Sequence, residues 1–161
     1  MFPHFDQDGM CGYEIRNANF KGYSSGGSEA LWLSQEFPND ERLVLCESAI
    51  DALSHAQLFG DHEKTRYASI GGQVNLAVQP ELIRAAAVRM PAGSEIIAAF
   101  DADAAGARLA GIVRKAVELS GRADLRFTMQ EPCGFKDWND QLRVKHAHSF
   151  PAARPKEPSV A

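Results

Sequence analysis

The chain lacks the devices by which small proteins avoid needing a large core. Its three cysteines, Cys11, Cys46 and Cys133, form no Cys-x-x-Cys pair, which excludes a zinc ribbon and a disulfide framework. No apolar run approaches the roughly 18 residues of a membrane helix. The start, Met1-Phe2-Pro3-His4-Phe5-Asp6, lacks the basic and apolar regions of a secretory signal. A soluble, cytoplasmic protein with no membrane partner is therefore expected. Positive charge is also scarce. A formal net charge of −4 excludes an indiscriminate nucleic-acid coat.

What is present suffices for a core. At 161 residues, 45% hydrophobic and 24% charged, the chain reads as one globular domain with appendages. The charge is uneven. After Gln141 the cations Arg143, Lys145, Arg154 and Lys156 face only Glu157, so the acidity lies in the body.

Residues 1–40 carry no helical period. Gly12-Tyr13-Glu14-Ile15-Arg16, Phe20-Lys21-Gly22-Tyr23 and Ala30-Leu31-Trp32-Leu33-Ser34 read as short strands around turns. They are expected to form a small β arm packed beside the main domain. Residues 41–144 then alternate strand and helix. Strands are expected at 43–46, 66–70, 95–100 and 124–128, and helices at 48–59, 80–90 and 104–120. The first helix should face inward with Ile50, Leu53 and Leu58. The second should use Leu82, Ile83, Ala86 and Ala87, and the third Ala105, Leu109, Ile112, Ala116 and Leu119. Such alternation implies a parallel sheet with right-handed crossovers. A short helix start follows Asp140. Residues 145–161, with three prolines, read as a linker or tail, and His146 and His148 there as solvated.

The chemistry gathers at strand ends. Leu43-Val44-Leu45-Cys46 is a strand buried on both faces, with Cys46 a small core residue, and Glu47 follows it at once. Glu95 to Phe100 is likewise followed by Asp101-Ala102-Asp103. Extended residues two apart point the same way, so Asp101 and Asp103 would face one point, with Glu47 arriving from another strand. Three hard oxygen donors suit Mg²⁺ or Mn²⁺; the lack of Cys or His among them disfavours zinc. Structural roles compete. Ser48-x-x-Asp51 matches a capping box, Asp103 could cap a helix, and Asp137 and Asp140 could be loop acids. Trp138 reads better as core than as a stacking platform. Gly71-Gly72 is either a tight turn or a place where phosphate approaches the backbone.

Together, Glu47-Ser48-Ala49-Ile50-Asp51, Ala68-Ser69-Ile70-Gly71, Phe100-Asp101-Ala102-Asp103-Ala104-Ala105-Gly106 and Lys136-Asp137-Trp138-Asn139-Asp140 resemble the Toprim domain. The likeness spans residues 41–142 and is to the primase-type branch, including plasmid primases and domains attached to mobilisation relaxases. Ser48 stands where the family has glycine, and Asn139 where primases often have another acid. The resemblance implies a Toprim (Rossmann-like) α/β fold with a mainly parallel four-stranded sheet flanked by helices. It implies catalytic Glu47, Asp101 and Asp103, with one or two Mg²⁺ or Mn²⁺ ions held by these residues and by Asp51, Asp137 and Asn139. Arg16, Lys21, Gly71, Gly72 and Lys136 would meet nucleotide or nucleic acid. The N-terminal arm resembles the β-segment that precedes Toprim in these proteins.

The expected activity is primase-type nucleotidyl transfer on single-stranded DNA template with nucleotides, supported by further domains of a primase or relaxase. A small Toprim nuclease is the alternative, with Glu47 as acid or base. A non-catalytic module binding metal and DNA is the third reading. Topoisomerases of the family typically show Lys-Pro after the Glu, which is absent here.

Overall fold

The computed structural model describes residues 1–17, 19–60, 63–72 and 74–149. Its strands are Phe2–Phe5 (β1), Met10–Asn17 (β2), Phe20–Tyr23 (β3), Leu31–Leu33 (β4), Arg42–Cys46 (β5), Thr65–Ser69 (β6), Glu95–Ala98 (β7) and Arg126–Met129 (β8). Its helices are Ala49–Phe59 (α1), Gln79–Arg89 (α2), Ala104–Leu119 (α3) and Trp138–Ser149 (α4). None is long and apolar enough to cross a membrane, among the described residues.

Strand β5 sits at the heart of the fold because its apolar run serves two layers. Leu43 and Leu45 face one core with Ile96, Ala98, α2 and α3, while Val44 and Cys46 face another with Tyr67, Ile97, α1 and Trp138. The period-2 alternation of side chains divides one strand between them. Strands β5, β6, β7 and β8 pair in parallel, as the alternation requires.

The sheet is larger than expected. A four-stranded parallel sheet with a separate arm gives way to one mixed sheet of eight strands, in the order β3-β2-β1-β4-β6-β5-β7-β8. The arm joins edge to edge, with Trp32 opposite Ser69 and Leu33 opposite Ala68, antiparallel. Without β4, the edge of β6 beside Ala68 and Ser69, both fully buried, would lie open, and open edges invite foreign strands. Strand β1 escapes the sequence reading because Pro3 argues against a strand. Its pairing with β4 involves only His4 and Phe5, so Pro3 lies beyond β4 on that side.

Two helices turn differently from expectation. On α1 the buried residues are Ala49, Asp51, Ala52, Ser54, His55 and Ala56, while Leu53 is exposed. On α3 they are Gly106, Ala110, Val113, Ala116 and Val117, and Leu119 faces out. Small side chains let these helices lie close to the sheet. Of the expected residues Ala116 is buried, Leu58 and Leu109 pack at the margins of the cores, and Leu53 and Leu119 are left outside. Helix α2 keeps its expected stripe, with Ile83 and Ala87 buried and Leu82 and Ala86 packed beside them. Helix α4 also exceeds expectation. It runs through the start of the supposed tail to Ser149 because it packs on α1, where Gln57 bonds His146 at 2.8 Å. The proline-containing remainder of that tail lies outside the described residues.

Candidate metal and phosphate site

The chain passes from β5 to β6 on one side of β5, then through α2 to β7 on the other side. The crevice between the carboxyl ends of β5 and β7 is thus a topological switch point, where open α/β sheets bind ligands. The ladder between them runs to Leu45 opposite Ala98 and continues with Ala99 N–H donating to the Leu45 carbonyl at 2.8 Å. Glu47 and Asp101 therefore leave neighbouring strands on the same rim.

Asp101 is the most strained of the acids electrostatically. It is half-buried, and its Oδ1 is buried with no hydrogen-bond partner among the described residues. Its carboxyl is pushed up to about 7, first by burial and then by the charges of Glu47, Asp51, Asp137 and Asp103. Glu47 is also raised. Burial leads, with Asp103 and Asp51 adding to it and Lys21 and Lys136 opposing.

The other acids have structural duties as well. Ser48 Oγ donates to Asp51 Oδ2 and accepts the Asp51 N–H at 3.2 Å, so the pair caps α1. Asp51 is 8% exposed, and burial raises its carboxyl against the Ser48 bond and the Asn139 backbone N–H. Asp103 is exposed and caps α3, its Oδ1 accepting from Ala105 and Gly106 N–H groups at 2.8 and 2.9 Å. Those bonds, Gly106 first, hold its carboxyl below the usual range. Asp137 Oδ1 accepts from Asp140 N–H at 2.7 Å and opens α4. Asp140 itself turns to Arg143, 3.8 Å away.

Among the described residues, no three Asp, Glu, His or Cys side chains stand together as a ready-made ion cage. The carboxylates nonetheless feel one another, and the donors are all hard oxygens. A buried, unpartnered Asp101 oxygen amid four other carboxylates is a donor that a hard divalent cation would satisfy. The residues fit Mg²⁺ or Mn²⁺.

A basic rim faces these acids. Gly71 and Gly72 have φ of 76° and 86°, a left-handed turn that glycine allows. The Gly72 N–H donates to the Glu47 carbonyl at 2.9 Å, tying the turn to the acid. A Cβ on Gly72 would lie 2.8 Å from Lys21 Nζ, so the β2–β3 hairpin reaches over this turn. Lys21 and Lys136 act on Glu47, and Arg16 acts on Asp51, in each case favouring the charged acid.

Several further contacts support the site. Trp138 is fully enclosed and its Nε1–H donates to the Ala99 carbonyl at 2.9 Å, while Ala102 N–H donates to the Lys136 carbonyl at 3.0 Å. These bonds set Asp137 beside Asp101. Gln79 donates to the carbonyls of Ala30 and Ile70 at 2.9 and 2.8 Å, clipping the arm to the end of β6. A Cβ on Gly106 would fall 2.1 Å from the Asp101 carbonyl oxygen, so the first turn of α3 presses on the Asp101 backbone. Trp138, expected in the core, and Gly106, at a fixed distance from Asp101 and Asp103, had a sequence signal; Gln79 had none.

A profile of the Toprim-like family matches residues 44–142. No curated protein sequence matches the chain. Among solved structures, it is similar to the primase fragment of the bacteriophage T7 primase-helicase protein. The identity is 21% and the TM-score 0.49, covering 91% of this chain and 58% of that one. It is also similar to a chain in the bacteriophage T7 lagging-strand DNA polymerase assembly with primase domains bound to an RNA/DNA hybrid and dTTP. There the identity is 22% and the TM-score 0.48, covering 91% of this chain and 71% of that one. The chain thus spans little more than half of the primase fragment.

Proposed function

This chain belongs to the Toprim-like family, and from that premise we propose that it is the metal-dependent nucleotidyl-transfer domain of a primase-type protein. It acts on single-stranded DNA template and nucleotides, within a larger replication or mobilisation protein of the cytoplasm. The observation that carries this reading is the buried, unpartnered Oδ1 of Asp101, set among carboxylates at the switch point and faced by Arg16, Lys21 and Lys136. An unpaired buried carboxylate oxygen is costly, and a site that keeps one is built to receive a cation.

Asp101 and Glu47 are the central ligands for one or two Mg²⁺ or Mn²⁺ ions. Asp103 offers the oxygen that does not cap α3, and Asp51, Asp137 and Asn139 stand around them. Held there, such an ion would supply charge neutralisation for phosphoryl oxygens. The chain's own basic residues do the rest. Arg16, Lys21 and Lys136 hold phosphates from above the acids, and Gly71 and Gly72 leave room for a phosphate against the backbone.

The test is a calorimetric Mn²⁺ titration of the wild type and Asp101→Asn, followed by labelled nucleotide incorporation on a single strand and cleavage of that strand. Binding that Asp101→Asn loses, together with incorporation, supports the proposal. Cleavage alone converts it to a nuclease, and metal binding without either reaction to a binding module. Equal Mn²⁺ affinity in both proteins removes the site.

A further inference from the structure

One face of the N-terminal hairpin is built unlike the other. In β2 the residues Gly12, Glu14 and Arg16 alternate onto the same side. Antiparallel register sets Tyr23 opposite Glu14 and Lys21 opposite Arg16, and β1 sets His4 opposite Gly12. This face lies over the Gly71–Gly72 turn. A Cβ on Gly71 would meet the His4 ring at 2.7 Å, and one on Gly72 would meet Lys21 Nζ at 2.8 Å and Arg16 Nη2 at 4.0 Å. Phe20 and Tyr13, on the opposite side, are exposed.

Glu14 is the anomaly on this face. It is 1% exposed, yet it is a carboxylate. Its Oε1 accepts from Arg16 Nε at 2.5 Å, and its Oε2 is buried with no partner among the described residues. As a stability device this is a poor choice, since a buried ion pair gains little over apolar packing and an incompletely bonded one gains less. As a positioning device it makes sense. Bonding through Nε restrains the guanidinium plane while leaving the two terminal amino groups to meet something else. Nη2 is the Arg16 atom that comes near Gly72, and the Arg16 charge reaches Asp51.

We infer that Glu14 is a positioning residue, which orients the Arg16 guanidinium over the Gly71–Gly72 turn so that its terminal amino groups grip the polyphosphate of a bound nucleoside triphosphate. The inference rests on the proposed function only in taking Arg16 as a phosphate ligand. Planar two-point contact with phosphate needs a fixed guanidinium, and a free arginine on a hairpin would lose rotamer freedom at each binding event.

The test uses inorganic tripolyphosphate without divalent metal, measured by calorimetry on the whole chain, so it does not depend on catalysis. Arg16→Ala is expected to weaken binding about tenfold, the value of one charge-assisted hydrogen bond. Glu14→Gln should weaken it severalfold, and should add nothing when combined with Arg16→Ala. Arg16→Lys, which keeps the charge and loses the fork, should behave like Glu14→Gln. Because Arg16 is not buried in the core, that variant decides the matter if Glu14→Gln fails to fold. Wild-type affinity in Glu14→Gln or Arg16→Lys, or additive losses in the double variant, overturns the inference and leaves the metal site standing. Wild-type affinity in Arg16→Ala, or no binding by the wild type, removes Arg16 as a phosphate ligand and overturns both the inference and that part of the proposed function. Loss of Mn²⁺ binding in Asp101→Asn is read separately and tests the function alone.

Discussion

Gly106 shows how much one hydrogen atom in place of a methyl group controls. The space that its missing side chain leaves is filled by the backbone of Asp101, with a would-be Cβ only 2.1 Å from the Asp101 carbonyl oxygen. Gly106→Ala must therefore push either α3 or the acid loop aside. Overpacking of this kind costs about 1–3 kcal/mol. Thermal unfolding should show a clearly lowered Tm, and a Mn²⁺ titration a weakened site although no ligand has been removed. An unchanged Mn²⁺ affinity would show that the Asp101 backbone tolerates displacement. His55 gives the pH counterpart. Its Nε2–H donates to Gln130 Oε1 at 2.8 Å, leaving Nδ1 buried without a partner among the described residues. Burial lowers its pKa below 6.5, and Gln130 opposes this only in part. The unfolded chain then takes up the proton first, so the stability His55 contributes is complete above pH 6.5 and falls as the pH drops below it. Between pH 7.5 and 5.5 the wild type should lose more Tm than His55→Gln, as read by parallel melting curves.

At the scale of elements, α4 is the piece that ties the last acidic motif to the first two. Its opening residue, Trp138, sits beneath His55 and Phe59 and bonds the Ala99 carbonyl, two residues before Asp101. The helix then runs along α1. Replacing Trp138 by Phe keeps most of the apolar area but leaves the Ala99 carbonyl without its donor. An unsatisfied buried acceptor costs about 1–3 kcal/mol. The expected outcome is a lowered Tm with a disproportionate loss of Mn²⁺ affinity, since the segment carrying Lys136 and Asp137 loses its anchor. Loss of stability with unaltered metal affinity would separate α4 from the site.

For the whole molecule, charge decides how nucleic acid can be held. With 21 acids against 17 Lys and Arg, affinity for DNA cannot come from the general field. On the proposed function it would come from a bound metal and from the few cations over the acids, Arg16, Lys21 and Lys136. Each phosphate neutralised on a single strand contributes about −0.7 to the salt slope, so the slope should be shallow. Anisotropy titrations are expected to show weak binding of single-stranded DNA, tightened by divalent metal. Tight, metal-independent binding with a steep slope would point to a different DNA surface. The eight-stranded sheet makes such a site rigid, because the hairpin bearing Arg16 and Lys21 belongs to the same hydrogen-bonded sheet as β5 and β7.

The strand–helix alternation, the acids at the strand ends and the core role of Trp138 were all readable from local pattern. Each depends on residues within a few positions of one another, and burial of an apolar run before a carboxylate leaves little choice of geometry. The Toprim likeness was readable for the same reason, its motifs being short and ordered along the chain. What the pattern could not settle was phase and partnership. On α3, Ala105-Leu109-Ile112 and Gly106-Ala110-Val113 offer helical stripes one residue apart, and only the closeness of the sheet selects the smaller set. The arm's alternating residues announce strands but not which edge they meet; that was decided by β6, whose free edge lay beside a buried face. The capping duties of Asp51 and Asp103 were legible as well, because their partners Ser48, Ala105 and Gly106 lie within three residues of them. What the tertiary fold alone decided is which charges surround Asp101, since Glu47, Asp51 and Asp137 come to it from other segments of the chain and raise its carboxyl through space.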